Sequence, residues 1–315
     1  MLHNQIAIGA LLTNAVFASA LHAQTQYRAF FYNQNSGAAV VDVVSNNTTL
    51  TDLEAGTAAS GWTSVVDTGG SMLFYNKASG TAVLTNENDD GTMPDVLVQH
   101  FSPGWSTIVE HQGYLLFYNK DSGLVAVGSI GANGFHQSFS GFFAPGWTHI
   151  VSTSYGLLFY NASTGAGALG DWKYKYLAGC TGFCPVPIDV EQYFEKKGYS
   201  FAPGWTHIID TNMGIMFYRS TDGLFVMEDF DNQLNPGDRV TSITHLQPSY
   251  TSVALLNGSE IMFYNSLTGA GELGHLVNPS QWVSVTAIGT YQQDVTGGFA
   301  PGWTHVVPYT KLFIH

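Results

Sequence analysis

Charge is scarce in this chain of 315 residues: Asp, Glu, Lys and Arg together make up 10%, where about a quarter is usual. The deficit falls hardest on the bases, 10 against 23 acids, for a formal net charge of −13. A surface of that sign repels a phosphate backbone or an anionic lipid leaflet, which excludes nucleic acid as a partner. Cysteine is nearly absent too. The pair Cys180 and Cys184 has no further Cys or nearby His, which makes a poor zinc site. Helical patterning is also missing, and beyond the N-terminus no apolar run approaches the roughly 18 residues of a membrane span.

The uncharged stretch Ile6 to Leu21 ends in small residues before Gln24. It predicts a secretory signal over residues 1–23, a single mature domain over 24–315, and a secreted or periplasmic protein with no membrane attachment after signal removal. In such a compartment Cys180 and Cys184 are expected to form a small disulfide, contributing about 2 kcal/mol on the chain-entropy model.

What the chain has in abundance is glycine, 35 residues, and aromatics at 14%, and both fall in a repeat. Six turns end in Gly: NQNSG at Asn33, NKASG at Asn76, NKDSG at Asn119, NASTG at Asn161, RSTDG at Arg219 and NSLTG at Asn265. Each follows an apolar strand of the form LLFY, so each copy reads as a β-hairpin whose terminal Gly supplies a positive φ. A second motif, Gly-Trp-Thr or a variant, recurs at Trp62, Trp105, Trp147, Trp205, Tyr250 and Trp303. The turns are spaced by 43, 43, 42, 58 and 46 residues, a propeller-blade period.

The expected fold is therefore all-β: a six-bladed β-propeller of four-stranded antiparallel blades, its inner strands beginning near the Trp and its second strands carrying LLFY. Because the chain opens on a second strand (Ala29 to Asn33) and closes on an inner one (Trp303 to Val307) plus a truncated strand at Leu312 to His315, the two termini should share one blade and close the ring.

Gly-Trp, a following Leu-Phe-Tyr strand, a Gly turn and a third strand together resemble the blades of tachylectin-2 and tectonin-type propeller lectins. The resemblance covers nearly all of the mature chain. It implies a secreted protein that binds sugars at several equivalent sites.

Candidate ligand contacts are Trp147, Trp205 and Trp303, whose faces could stack on a pyranose, and the polar residues two positions on, His149, His207 and His305. The same positions in the other copies hold Ser64, Thr107 and Ser252. Packing within the blade, or a hydrogen bond to the next blade, is the competing reading for all of them, and three His converging on one metal is a third. Trp172 stands outside the repeat, in the longest interval, beside Tyr174, Tyr176 and the cysteines; that segment is expected to form an exposed recognition loop. Asn86 to Gly91 opens like an EF-type loop, but its twelfth position is Leu97, and Asp229 to Asp238 is a loose acidic cluster. The sequence thus calls for no metal and no cofactor.

No G-x-S-x-G, H-E-x-x-H, P-loop or sialidase box is present, and the acids fall in variable segments at no fixed repeat position. The reading is a non-catalytic, lectin-like module for neutral carbohydrate or a glycoconjugate. The alternatives are a six-bladed hydrolase, glycosidase or lactonase, working at the channel mouth, and a protein-binding scaffold.

Overall fold

Each of the six turns closes on a glycine with φ between 75° and 80°. A Cβ there would lie 2.0 to 2.3 Å from the carbonyl oxygen of the residue four places before the next motif aromatic, as at Gly37 against Ala58 or Gly80 against Phe101. Both backbone angle and space therefore demand Gly. Five of the turns start at an Asn; at Asn76 its Oδ1 accepts the N–H groups of Ala78 and Ser79 at 3.0 Å each, and its Nδ2 donates to the Gly61 carbonyl at 2.9 Å.

These turns join the middle strands of six four-stranded antiparallel sheets in a computed structural model that describes residues 23–45, 49–131, 133–176, 189–211, 213–230, 233–236, 244–257, 259–277 and 290–314. Residues 1–22, which hold nearly all of the expected signal, and Cys180 and Cys184 lie outside the described residues. Blade I is built from both ends of the chain, with strand order His305–Ile314, Ala23–Tyr32, Ala38–Ser45, Thr49–Thr57. The inner strands of blades II to VI are Ser64–Asp67, Thr107–His111, His149–Thr153, His207–Thr211 and Ser252–Leu255. Each inner strand contacts the next, and the strand from blade VI contacts that of blade I, so the ring is closed at six.

Two boundaries differ from the sequence reading. The C-terminal segment is one strand, not an inner strand followed by a truncated one, and its whole length pairs with the extended N-terminal strand, from Ala23 opposite Ile314 to Tyr32 opposite His305. Pro308 is tolerated because the inner strand is an edge strand. The segment Asp171 to Lys175 is not loop but the continuation of the third strand of blade IV, Ala166–Lys175.

Packing explains why the middle strands are apolar at successive positions. In Gly156–Tyr160 of blade IV every residue is buried; Leu157 and Phe159 face blade III while Leu158 and Tyr160 face blade V. A strand covered on both faces has no solvent side to alternate with.

Candidate functional site

The ring has two unlike ends. One carries the Gly turns and the Gly-Trp-Thr loops. The other carries the remaining connections and most of the acids.

At the first end a hydrogen-bond relay passes from blade to blade. The tyrosine closing each second strand is fully buried. Its hydroxyl donates to a loop carbonyl leading into the next blade, as from Tyr118 to Ala144 at 2.9 Å, and accepts the N–H of that blade's aromatic residue, Trp147, at 3.1 Å. The same pair of bonds links Tyr32 to Ala59 and Trp62, Tyr75 to Ser102 and Trp105, Tyr160 to Ala202 and Trp205, and Tyr264 to Ala300 and Trp303. These tyrosines stood in every repeat, yet sequence reasoning treated them as strand filler.

The candidate ligand contacts are distributed around this end rather than gathered at one point. Trp205 is buried; Trp147 and Trp303 keep part of their surface. The rings of Trp147, Trp205 and Trp303 lean on the phenyl groups of Phe159, Phe217 and Phe31 at 5.8, 5.7 and 6.0 Å. Trp147 also lines a small recess of about 140 Å³ with Phe143, Tyr193 and Glu195.

The three histidines reach the next blade. His149 Nε2 lies 2.9 Å from the Thr206 carbonyl, His207 Nε2 3.1 Å from that of Thr251, and His305 Nε2 3.3 Å from that of Thr63. A carbonyl only accepts, so Nε2 carries the proton and Nδ1 of the neutral ring accepts from the preceding threonine hydroxyl at 2.9 Å in each case. Burial pushes all three imidazoles below their ordinary pKa, the carbonyl bond opposing it. Among the described residues no three His, Cys, Asp or Glu side chains converge as a metal site.

Trp172 requires a correction. It is 3% exposed, packed with Leu157, Phe159 and Val190 between blades III and IV, and its Nε1 donates to the His111 carbonyl at 3.3 Å. An apolar third strand pulls it into the core, away from any exposed loop.

The opposite end overturns the reading that acids keep no repeat position. The fifth residue after the motif aromatic is Asp67, Glu110, Ser152, Asp210, Leu255 and Pro308 in turn, near the far end of each inner strand, so three blades carry a carboxylate at one equivalent place. Asp67, Leu255 and Pro308 line a common hollow of about 400 Å³. Burial raises the Asp67 carboxyl, and the charge of Glu110 adds to this; burial raises Asp210 as well, against the Ser154 N–H that bonds it.

Where blade IV has Ser152, a linked set crosses blades III and IV. The Ser152 hydroxyl lies 2.9 Å from His111 Nδ1, and His111 Nε2 lies 3.2 Å from Asp171 Oδ1. Asp171 also accepts from its neighbour's backbone, Trp172 N–H, at 2.8 Å and from Lys196 at 2.9 Å. Burial opposes ionisation of Asp171, but these donors and His111 together hold its carboxyl below the usual range. With Asp171 ionised, Nε2 carries the proton and Nδ1 faces the serine as an acceptor.

No protein-family description matches the chain, and no curated protein matches it. Solved structures do. A protein of Lactobacillus plantarum is similar over 90% of this chain and 99% of its own at 12% identity, TM-score 0.58. Apo AztD of Citrobacter koseri is similar over 91% and 99% at 8% identity, TM-score 0.55. A candidate 6-phosphogluconolactonase of Bacteroides fragilis is similar over 90% and 84% at 12% identity, TM-score 0.54. These neighbours are lactonase-like and other propellers rather than tectonin lectins specifically. At such identities the likeness establishes the β-propeller fold and nothing finer.

Proposed function

We propose that this propeller is an exported, non-catalytic binding module for neutral carbohydrate, engaged through the end that carries the Gly turns and Gly-Trp-Thr loops. One observation carries the reading: the twelve connections at that end hold only five charged side chains, Lys77, Lys120, Asp121, Arg219 and Asp222. They otherwise offer Asn, Ser, Thr, backbone amides and the partly exposed rings of Trp147 and Trp303. Sugars are recognised by such uncharged hydrogen-bonding groups beside an aromatic face. Repeated weak contacts around a ring raise avidity for a multivalent surface whose spacing matches. His149, His207 and His305 hold the inner strands in place beneath these contacts. The test is a broad neutral-glycan array read with the wild type and Trp147→Ala, with unfolding midpoints measured in parallel. Binding that falls in a variant of unchanged stability supports the reading; no binding to any glycan overturns it.

A second reading, hydrolysis at the opposite end, rests on Ser152, His111 and Asp171. Ser152 would attack an ester or lactone carbonyl and pass its proton to His111 Nδ1, while Asp171 stabilises the resulting imidazolium through Nε2. Turnover of p-nitrophenyl acetate or a sugar δ-lactone that disappears in Ser152→Ala is the result this reading requires.

A further inference from the structure

The six blade junctions are not equally filled. The residue four places before the motif aromatic is Phe101, Phe143, Phe201, Leu246 and Phe299 at five of them, and Ala58 at the junction of blades I and II. Backbone bonds show that the position is the same in all: Ala58 N–H donates to Gly37 and Phe101 N–H to Gly80, each at 2.8 Å, and so on round the ring. The phenyl groups of Phe101, Phe143, Phe201 and Phe299 plug the junction by packing on the second-strand Phe of the next blade, with centroids 4.7, 5.5, 5.3 and 6.4 Å apart from Phe117, Phe159, Phe217 and Phe31. Leu246 does the same beside Phe263.

Three junctions carry a second plug. Phe135, Tyr193 and Tyr291 lie over Gly128, Gly170 and Gly274 of the third strand, where a Cβ would come within 2.6 Å of the ring. They pack at 5.3 to 5.4 Å on the same second-strand Phe. In blade II the equivalent third-strand position, at the same register shift, is Thr85.

At the junction of blades I and II neither position holds a ring: Ala58 stands at the first, and Met93, two residues before the Asp95 that pairs with Thr85, stands at the second. A groove of about 370 Å³ lies there, floored by Trp62, Phe74, Phe30, Val83 and Met93. Thr85 lines it, is 4% exposed, and its hydroxyl has no hydrogen-bond partner among the described residues. A buried hydroxyl left unpaired is costly, so its survival calls for a group that completes it.

We infer that this groove is a single binding site for an uncharged, two-ring aromatic molecule, which takes the place of the two missing side-chain rings and bonds the Thr85 hydroxyl through one polar group. The other junctions specify the occupant's shape, since each is filled there by aromatic or branched side chains on the same Phe floor. Glu54 and Asp95 also line the groove, and their charge disfavours an anion. Its volume lies in the ordinary range for small-molecule sites.

A neutral naphthalene ketone, 6-propionyl-2-dimethylaminonaphthalene, supplies both rings, a carbonyl for Thr85 and a fluorescence readout. The wild type is expected to bind it with one site per chain. Ala58→Phe, which restores the plug of the other copies, should weaken binding at least about tenfold, and Thr85→Val about two- to tenfold, the worth of one buried hydrogen bond. Ala58→Leu, copying Leu246, decides the matter if Ala58→Phe does not fold. Wild-type affinity in a folded Ala58 variant, or several equivalent sites, overturns the proposal. So does sedimentation of the wild type as a dimer that the Ala58 variant breaks, because the groove would then be a contact between copies.

Discussion

The hydroxyl of Tyr264 in blade VI accepts the backbone N–H of Trp303 at 3.2 Å, tying the last complete blade to the strand that the C-terminus lends to the first. The same hydroxyl donates to the Ala300 carbonyl at 2.8 Å, so one buried oxygen serves two backbone groups across the closing junction. Replacing Tyr264 with Phe removes both bonds at this part-buried junction and should destabilise the ring by about 1 to 3 kcal/mol, two bonds at about 0.5 to 1.5 each. The same substitution at Tyr160 should cost a similar amount, because Tyr160 bonds Ala202 and Trp205 in the same way. Denaturant midpoints at constant slope check it; two neutral variants would refute the relay as a source of stability.

Ring closure makes a second expectation. The strand His305–Ile314 pairs with Ala23–Tyr32 at every position, and Thr304 Oγ1 accepts the Gln34 N–H at 2.9 Å. Deleting residues 303–315 exposes an edge along the whole N-terminal strand. Hydrogen exchange should then accelerate across Ala29 to Val44, more than 250 residues away in sequence, while Gly156–Tyr160 in blade IV keeps its protection. Unchanged exchange in blade I would show that closure contributes nothing.

Much of this fold was legible because its determinants are local and repeated. Asn and Gly four positions apart fix a turn, and a Trp before an apolar strand fixes where a blade begins. What joins the blades was not legible. The Tyr–Trp bonds connect residues 29 to 45 positions apart, and either residue type is already explained by burial alone. The set Ser152, His111 and Asp171 spans separations of 41 and 60 residues and matches no contiguous motif. A signal for the inner-strand acids did exist: counting five residues from each motif aromatic finds Asp67, Glu110 and Asp210. The missing plug at Ala58 was equally visible in a column of phenylalanines, but only geometry shows that the column faces a junction.

Asp42 gives a pH dependence of one sign. It is 6% exposed and sits directly opposite Asp52 in the neighbouring strand. Burial first, and the charge and hydrogen bond of Asp52 second, push its carboxyl up to about 7. Between the free value near 3.9 and about 7, the folded chain keeps a proton that the unfolded chain releases. The stabilisation is full below the free value and is lost as pH rises through the folded one. Asp42→Asn, neutral and of the same shape, should unfold at a higher urea concentration than the wild type at pH 8 and show little difference at pH 4. A wild type whose stability does not fall between pH 4 and 7 relative to Asp42→Asn would refute this.

The three inter-blade histidines impose the opposite slope within the same pH range. Burial holds His149, His207 and His305 below the free imidazole value, which is about 6.5. As pH falls through that value the unfolded chain takes up protons that the folded chain refuses, so stability drops with acidification. The bond from Nε2 to the next blade survives protonation, because Nε2 already donates. At Nδ1 the hydroxyls of Thr148, Thr206 and Thr304 can accept the second N–H, because each has a carbonyl, of Tyr160, Tyr218 or Tyr32, at 3.1 Å to donate to instead. The acid cost therefore lies in charging a buried ring rather than in a lost hydrogen bond. In the background of Asp42→Asn, where the opposing slope is gone, stability should fall between pH 7 and 5. Replacing all three histidines with Gln, which can still donate to the neighbouring carbonyl, should flatten that fall. If the fall persists undiminished, the acid sensitivity belongs to other groups.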